Sequence, residues 1–171
     1  FKERYLELKG KLAELPDVLS TTATSEVPGA GFTSNGYRPE GWDRWIGFNA
    51  VDVDYDYVGT MGLQLIHGRP FSEEFASDKE AFMVNETLVS QLNWDNPVGK
   101  MIFREGDHPI IGVVRDFQFA SVHQEIAPLV FKMDPYLGYS HLLVRFNTAN
   151  LPGLIAKIRK AWEEIDPNEP F

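Results

Sequence analysis

Cysteine is absent from the 171 residues, which excludes a disulfide scaffold and a thiolate site and leaves both cytosol and periplasm open. Histidine is nearly as scarce. His67, His108, His123 and His141 are scattered, with no i, i+4 pair and no H-x-H or H-E-x-x-H run, so no metal site is expected from them. Long apolar runs are missing as well. The longest clean ones are about five residues, far short of the roughly 20 that a membrane span needs, so neither a span nor a signal peptide is expected within these residues. Basic residues are outnumbered, 16 against 25 acidic, for a formal charge of -9. Phosphate binding needs clustered Lys and Arg, so nucleic acid is not an expected partner. Walker A and G-x-S-x-G motifs are also lacking, and the glycines of Pro28–Gly41 follow no strand–helix fingerprint. No cofactor is expected.

What is present is organised around Ile110–Phe119 (IIGVVRDFQF). Its β-branched run to Val114 has no helical period and reads as a buried scaffold strand. Phe1–Leu15 has apolar residues at Phe1, Tyr5, Leu8, Leu12 and Leu15, the spacing of a helix stopped by Pro16, and Val18–Ser25 reads as a strand. Glu26–Arg44 is punctuated by Pro28, Gly29, Gly31, Gly36, Pro39 and Gly41 and reads as a long irregular loop. Further strands are expected at Trp45–Val53, Leu63–Ile66, Ala81–Val84, Lys100–Phe103, His108–Val114, Pro128–Met133 and Ser140–Phe146. Ser72–Lys79 reads as charged and solvent-facing, Ala120–Ile126 as a helical turn or bend, and Asp134–Gly138 as a turn. Short helices are expected at Tyr55–Met61, ended by Gly62, and at Glu86–Leu92, capped by Asn85. Glu105-Gly106-Asp107 reads as a hairpin turn. A long amphipathic helix over Leu151–Ile165 turns Leu154, Ile155, Ile158, Trp162 and Ile165 inward, with Pro152 in its first turn. Both chain ends read as cut from something longer.

Few residues invite a chemical role. Asp52, Asp54 and Asp56 have the opening spacing of a calcium loop, but Tyr57 and Leu63 stand where that loop needs Gly and Glu. A solvated strand end with a helix cap is the better reading. His123 beside Glu125 is a chance-level acid–base pair. Arg69, Arg115 and Asp116 are the best polar candidates, with a structural role expected: Arg115-Asp116 would orient the loop that follows the buried run. A ligand role is the alternative. Phe32, Tyr37 and Trp42 in the long loop and Trp45 at its end, together with Phe71 and the stretch to Lys79, are candidates for an interaction surface. The competing reading has these aromatics capping the core.

Val58-x-x-Met61-Gly62-Leu63-x-Leu65-x-x-Gly68-Arg69-x-Phe71 resembles a stretch of the MacB-like periplasmic core domain, which is inserted in FtsX-like ABC transporter permeases. Ala81-Phe82-Met83-Val84-Asn85-Glu86 with Leu88-Val89 matches next. Asn96-Pro97-Val98-Gly99-Lys100 and Ile111-Gly112-Val113-Val114-Arg115-Asp116-Phe117 follow in order, and Ser121–Val130 resembles the segment returning to the first lobe. In overall character the chain is most similar to the divergent permeases of Bacteroidetes. The resemblance implies an α+β, two-lobed fold. A mixed α/β lobe made from both chain ends (1–27 and 127–171) would carry a mostly β lobe (28–126) inserted between them.

It also implies a non-enzymatic extracytoplasmic domain, on the periplasmic side of the cytoplasmic membrane. Such a domain transmits conformational change or contacts a partner or substrate. Implied partners are a second permease half, a cytoplasmic ATPase and a periplasmic protein. Two rivals remain. One is a small-molecule binding or sensory module with an inter-lobe pocket; the other is an enzyme using His123 with Glu125 or the Asp52–Asp56 cluster.

Overall fold

Tyr5, Leu8 and Leu12 are spaced to share one side of a helix, and all three are buried. They lie on α1 (Lys2–Ala13), which packs on strand β1 (Val18–Thr24). The computed structural model describes residues 2–120, 125–133, 139–168 and 170–171. At the far end of the chain, strand β9 (His141–Phe146) runs antiparallel to β1, and α4 (Leu151–Ile165) returns against α1. Arg4 pairs with the buried Asp166 just past α4, and Lys11 lies 2.8 Å from Glu164. Both chain ends therefore build one small α/β lobe. Helix α4 buries Leu154 and half-buries Ile158, Trp162 and Ile165, but Ile155, expected inward, is exposed. A two-stranded sheet is too narrow to cover the flank of the helix on which Ile155 sits.

Between them runs a seven-stranded sheet of β2 (Thr33–Pro39), β3 (Ile46–Asp52), β4 (Leu65–Gly68), β5 (Phe82–Asn85), β6 (Met101–Phe103), β7 (Asp107–Val114) and β8 (Leu129–Lys132). Its order is β4-β7-β5-β8-β3-β2-β6, and β6 also pairs with β7. Six strands thereby close into a barrel, with β4 on the remaining edge of β7, and closure removes the exposed edges that an open sheet would leave. Strand β7 pairs with β4, β5 and β6. That is the scaffold position its apolar run predicts.

The interior cluster holds Tyr37, Phe48, Phe82, Val84, Ile102, Ile110 and Val130, joined by Leu88 and Leu92 of helix α3 (Glu86–Leu92). A second cluster lies on the other face of β3, β5 and β8. It comprises Val51, Met83, Leu129 and Phe131 with Phe71, Phe119 and Tyr57, the last from helix α2 (Tyr57–Met61). Strands covered on both faces read as unbroken apolar runs rather than alternations.

Three expectations change. Strand β2 crosses the stretch expected to be irregular: it lacks an apolar alternation because its outer face is exposed, with Gly36 opposite Gly47. Strand β8, expected with the terminal lobe, lies between β3 and β5 in the barrel sheet, where its buried Leu129, Val130 and Phe131 fill both apolar clusters. The Ser72–Lys79 stretch includes a 3-10 turn (Ala76–Glu80) with Asp78 fully buried. The bend expected around Ala120–Ile126 falls largely, and the turn at Asp134–Gly138 wholly, outside the described residues.

The Gly68-Arg69 and Ile111-Gly112 motifs acquire a common reason. Their backbones cross so closely that a Cβ on Gly68, at φ +69°, would lie 2.1 Å from the Ile111 carbonyl oxygen. One on Gly112 would lie 2.3 Å from the Arg69 carbonyl oxygen. Only glycine fits such an approach.

Candidate functional site

The lobes are joined by main chain. Thr24 bridges Val53, Ser25 N donates to the Asp52 carbonyl at 2.9 Å, and Asp54 N donates to the Ala23 carbonyl at 3.1 Å. Asp54 reinforces the joint from a buried position. Its carboxylate accepts from the Thr22 hydroxyl, Ala23 N (3.0 Å), Tyr5 OH (3.3 Å), Lys9 Nζ (3.0 Å) and Asp56 N (3.1 Å). Burial opposes the charge on Lys9, but its hydrogen bonds to Asp56 and Asp54 prevail and raise its pKa. The Asp52–Asp56 run, expected to be a solvated strand end, thus has two of its three carboxylates buried in the joint. Among the described residues no group of three or more acidic or histidine side chains is arranged to hold a metal ion.

Arg69 makes two charge-assisted hydrogen bonds to Asp78, at 2.6 and 2.7 Å. This bidentate pairing is the reason an acid can be buried in a stretch read as solvent-facing. Asp78 also accepts from Ser72 N at 2.9 Å. The Arg69 hydrogen bonds hold the Asp78 carboxyl below its ordinary pKa, against the opposing effect of burial. A depressed carboxyl adds stability above its unfolded pKa of about 3.9 and loses it as pH falls through the lower folded value. Urea midpoints are therefore expected to drop below roughly pH 4, with a shallower drop in Asp78→Asn.

Asp116 accepts from Asn85 Nδ2 (2.9 Å), Thr87 N (3.0 Å) and the Thr87 hydroxyl (2.7 Å). Arg115 is exposed and 4.0 Å from Glu86. All these contacts fix loops and helix starts.

The aromatic candidates divide. Tyr37 and Phe71 are core residues, so neither ring is available to a partner. Phe32 is half-buried and stacked on Phe119 at 5.0 Å. Trp42 packs partly against the barrel interior, with the Arg44 guanidinium 5.3 Å from its ring. Trp45 alone of the five is well exposed, at 57%, with its ring edge-on to Phe103 at 5.9 Å. Arg38 lies 4.8 Å from the Phe103 ring. The Tyr37 position follows from β2: odd-numbered residues there point into the barrel.

A polar cleft of about 290 Å³ lies where the lobes meet, and of its lining residues sequence reasoning singled out only Asp52. Ser25 and Ser140 border it from the terminal lobe, and Asn35, Asp52, Arg104 and Lys132 from the barrel. Lys132 Nζ is 2.7 Å from Asp52 Oδ1, so these charges compensate each other. Glu26, also on the rim, accepts from Thr33 N at 2.8 Å and from the Thr33 hydroxyl. Arg104 has no carboxylate within ion-pair distance among the described residues, and its guanidinium lies 5.2 Å from the Tyr37 ring. The Tyr37 hydroxyl is buried beside Asn35 and Arg104 without a well-formed hydrogen bond among the described residues. Burial, opposed by Arg104 and assisted by Asp52, pushes its pKa up to about 12. No local motif announces this cleft, because its residues come from six separate strands or their ends.

Among the described residues, the hydrogen-bond contacts of His108 and His141 are to backbone carbonyls. His108 contacts the Glu80 carbonyl at 2.7 Å and the Arg104 carbonyl at 2.9 Å, and His141 contacts the Ser25 carbonyl at 3.3 Å. His123 lies outside the described residues.

No protein-family model matches this chain, and no curated protein does. Solved structures do match in fold. The periplasmic region of MacB from Actinobacillus actinomycetemcomitans superposes with a TM-score of 0.68 at 15% identity, over 94% of this chain and 73% of that one. The extracellular domain of YknZ, a noncanonic ABC-type transporter from Gram-positive bacteria, gives 0.68 at 14% identity, over 96% and 84%. A domain assigned to a permease protein from Porphyromonas gingivalis gives 0.65 at 14%, over 91% and 68%. At such identities the likeness is one of fold.

Proposed function

We propose that this chain is the extracytoplasmic domain of an ABC-type transporter permease, of the MacB-like and FtsX-like group, without catalysis of its own. The observation that carries the reading is the fold shared with three transporter or permease domains over 91–96% of this chain. Within that group we take it, on overall sequence character, to resemble the divergent permeases of Bacteroidetes. In the intact transporter its partners are a second permease half and a cytoplasmic ATPase, with a periplasmic protein as a further contact. The hydrogen-bonded joint between the lobes suits the transmission of movement, since a displaced terminal lobe pulls directly on β3. Trp45 and Arg38, packed about Phe103, form the exposed face best suited to a partner, Trp and Arg being residue types enriched at binding hot spots. Arg69, Arg115 and Asp116 act structurally.

The absence of cysteine provides the test. Trp45→Cys in the full-length parent is expected to react with a membrane-impermeant maleimide in intact spheroplasts, above the background of the unsubstituted parent. Reaction only after lysis would overturn the assignment. Trp45→Cys itself should change stability by no more than about 0.5 kcal/mol, because the ring is mostly in solvent.

A small-molecule binding module is the second reading, favoured by the polar cleft at the lobe junction.

A further inference from the structure

We infer that the cleft between the lobes is a carboxylate-binding site, which takes a small carboxylate-bearing molecule with its anionic group seated on Arg104 and the Tyr37 hydroxyl. This rests on the binding-module reading and is independent of the permease assignment. Three observations converge on it.

The first is charge. Lys132 and Asp52 compensate each other, and Glu26 is engaged by Thr33. Arg104 is left as the cation of the cleft without an ion-pair partner among the described residues, in a chain of formal charge -9. A guanidinium presents a fork of donors that matches a carboxylate bidentately.

The second is an unsatisfied donor. A buried hydroxyl without a hydrogen bond costs free energy, and most native examples have a partner or a ligand that supplies one. The Tyr37 hydroxyl is such a group, and it sits beside Arg104 and Asn35, two residues of the cleft wall. A carboxylate between phenol and guanidinium would accept from both.

The third is preorganisation. Arg104 stands at the tip of the β6–β7 hairpin, where Arg104 N donates to the Gly106 carbonyl at 2.9 Å and Glu105 takes a positive φ of 59°. The His108 ring bridges the Arg104 and Glu80 carbonyls while stacked on Phe82 at 4.2 Å. The tip is thereby tied to the barrel wall, so less entropy is lost when a ligand engages Arg104. The cleft volume of about 290 Å³ suits a molecule of a few heavy atoms and is too small for a folded partner.

Propionate and glycylglycine are the probes, with glycylglycine amide as the control lacking the carboxylate. Titrated into the 15N-labelled protein, both carboxylates are expected to give saturable shifts at the amides of Asn35, Arg104 and Ser140. The amide control is expected to give none there. Arg104→Gln should weaken propionate binding about tenfold, as loss of a charge-assisted bidentate contact implies. Tyr37→Phe separates binding from folding. It removes a hydroxyl that makes no well-formed hydrogen bond among the described residues, so it should leave the melting temperature little changed or raised while weakening propionate.

Three results would overturn the inference: no saturable shift at millimolar probe, equal shifts with the amide control, or unaltered binding in Arg104→Gln. Loss of stability without loss of binding in Tyr37→Phe would do the same, since the hydroxyl would then serve the fold. None of these outcomes bears on maleimide labelling at position 45, which tests the permease reading separately.

Discussion

Replacing Asn85 with alanine is expected to lower the melting temperature by about 10 °C, for a loss of roughly 3–5 kcal/mol. As a helix N-cap alone, Asn85 would be worth about 1 kcal/mol. The structure gives it more to do. Its Oδ1 accepts from Leu88 N at 3.2 Å, the cap bond, and also from Leu129 N at 2.9 Å on β8. Its Nδ2 donates to Asp116 at 2.9 Å and to the Ala127 carbonyl at 3.0 Å. The residue is completely buried, so alanine strands two backbone N–H groups, one carbonyl and part of a carboxylate where water cannot readily replace the amide. Thermal melts of Asn85→Ala beside a helix-cap mutant of exposed α4, Asn150→Ala, decide the point. A similar loss of about 1 kcal/mol in both would reduce Asn85 to an ordinary cap.

Asp54→Ala is expected to cost a similar amount, about 3–5 kcal/mol, because five donors around a buried acceptor lose it at once. Its damage should be local. Tyr5 and Lys9 tie α1 to the carboxylate and Thr22 and Ala23 tie β1, whereas the interior cluster of the barrel does not include Asp54. Hydrogen exchange should show α1 and β1 losing protection while β5, β7 and β8 retain theirs. Equal loss across the barrel would mean that the two lobes open as one unit. In that case Asp54 would not be a separable fastening of the terminal lobe.

Much of the element order was legible. Asn85 before Glu86, Gly62 after Met61, Asn150 before Leu151 and the Glu105-Gly106-Asp107 turn are local signals, and each element forms where they place it. The failures share a cause. Strand β2 has little hydrophobic pattern of its own and exists because β3 and β6 offer it ladders. Asp78 reads as solvated until Arg69, nine residues away in sequence, folds onto it. Tyr37, Trp42 and Trp45 are alike in composition yet range from buried to mostly exposed. Which way each ring points depends on strand register and barrel closure. The candidate site shows this most clearly, since Asn35, Asp52, Arg104 and Lys132 are far apart in sequence and meet only around the mouth of the barrel.

By itself, the sequence determined a cysteine-free chain of helices and strands with β7 as its scaffold strand, its helix caps and the Glu105-Gly106-Asp107 turn. These depend on apolar period and on residues a few positions apart. Only the tertiary structure decided that six strands close into a barrel, that Asp54 and Asn85 become buried fastenings, and that Arg104 borders a cleft with no carboxylate within ion-pair distance of it among the described residues. Those outcomes are set by contacts between residues tens of positions apart, and burial alone turns an ordinary surface polar group into one whose removal costs several kcal/mol.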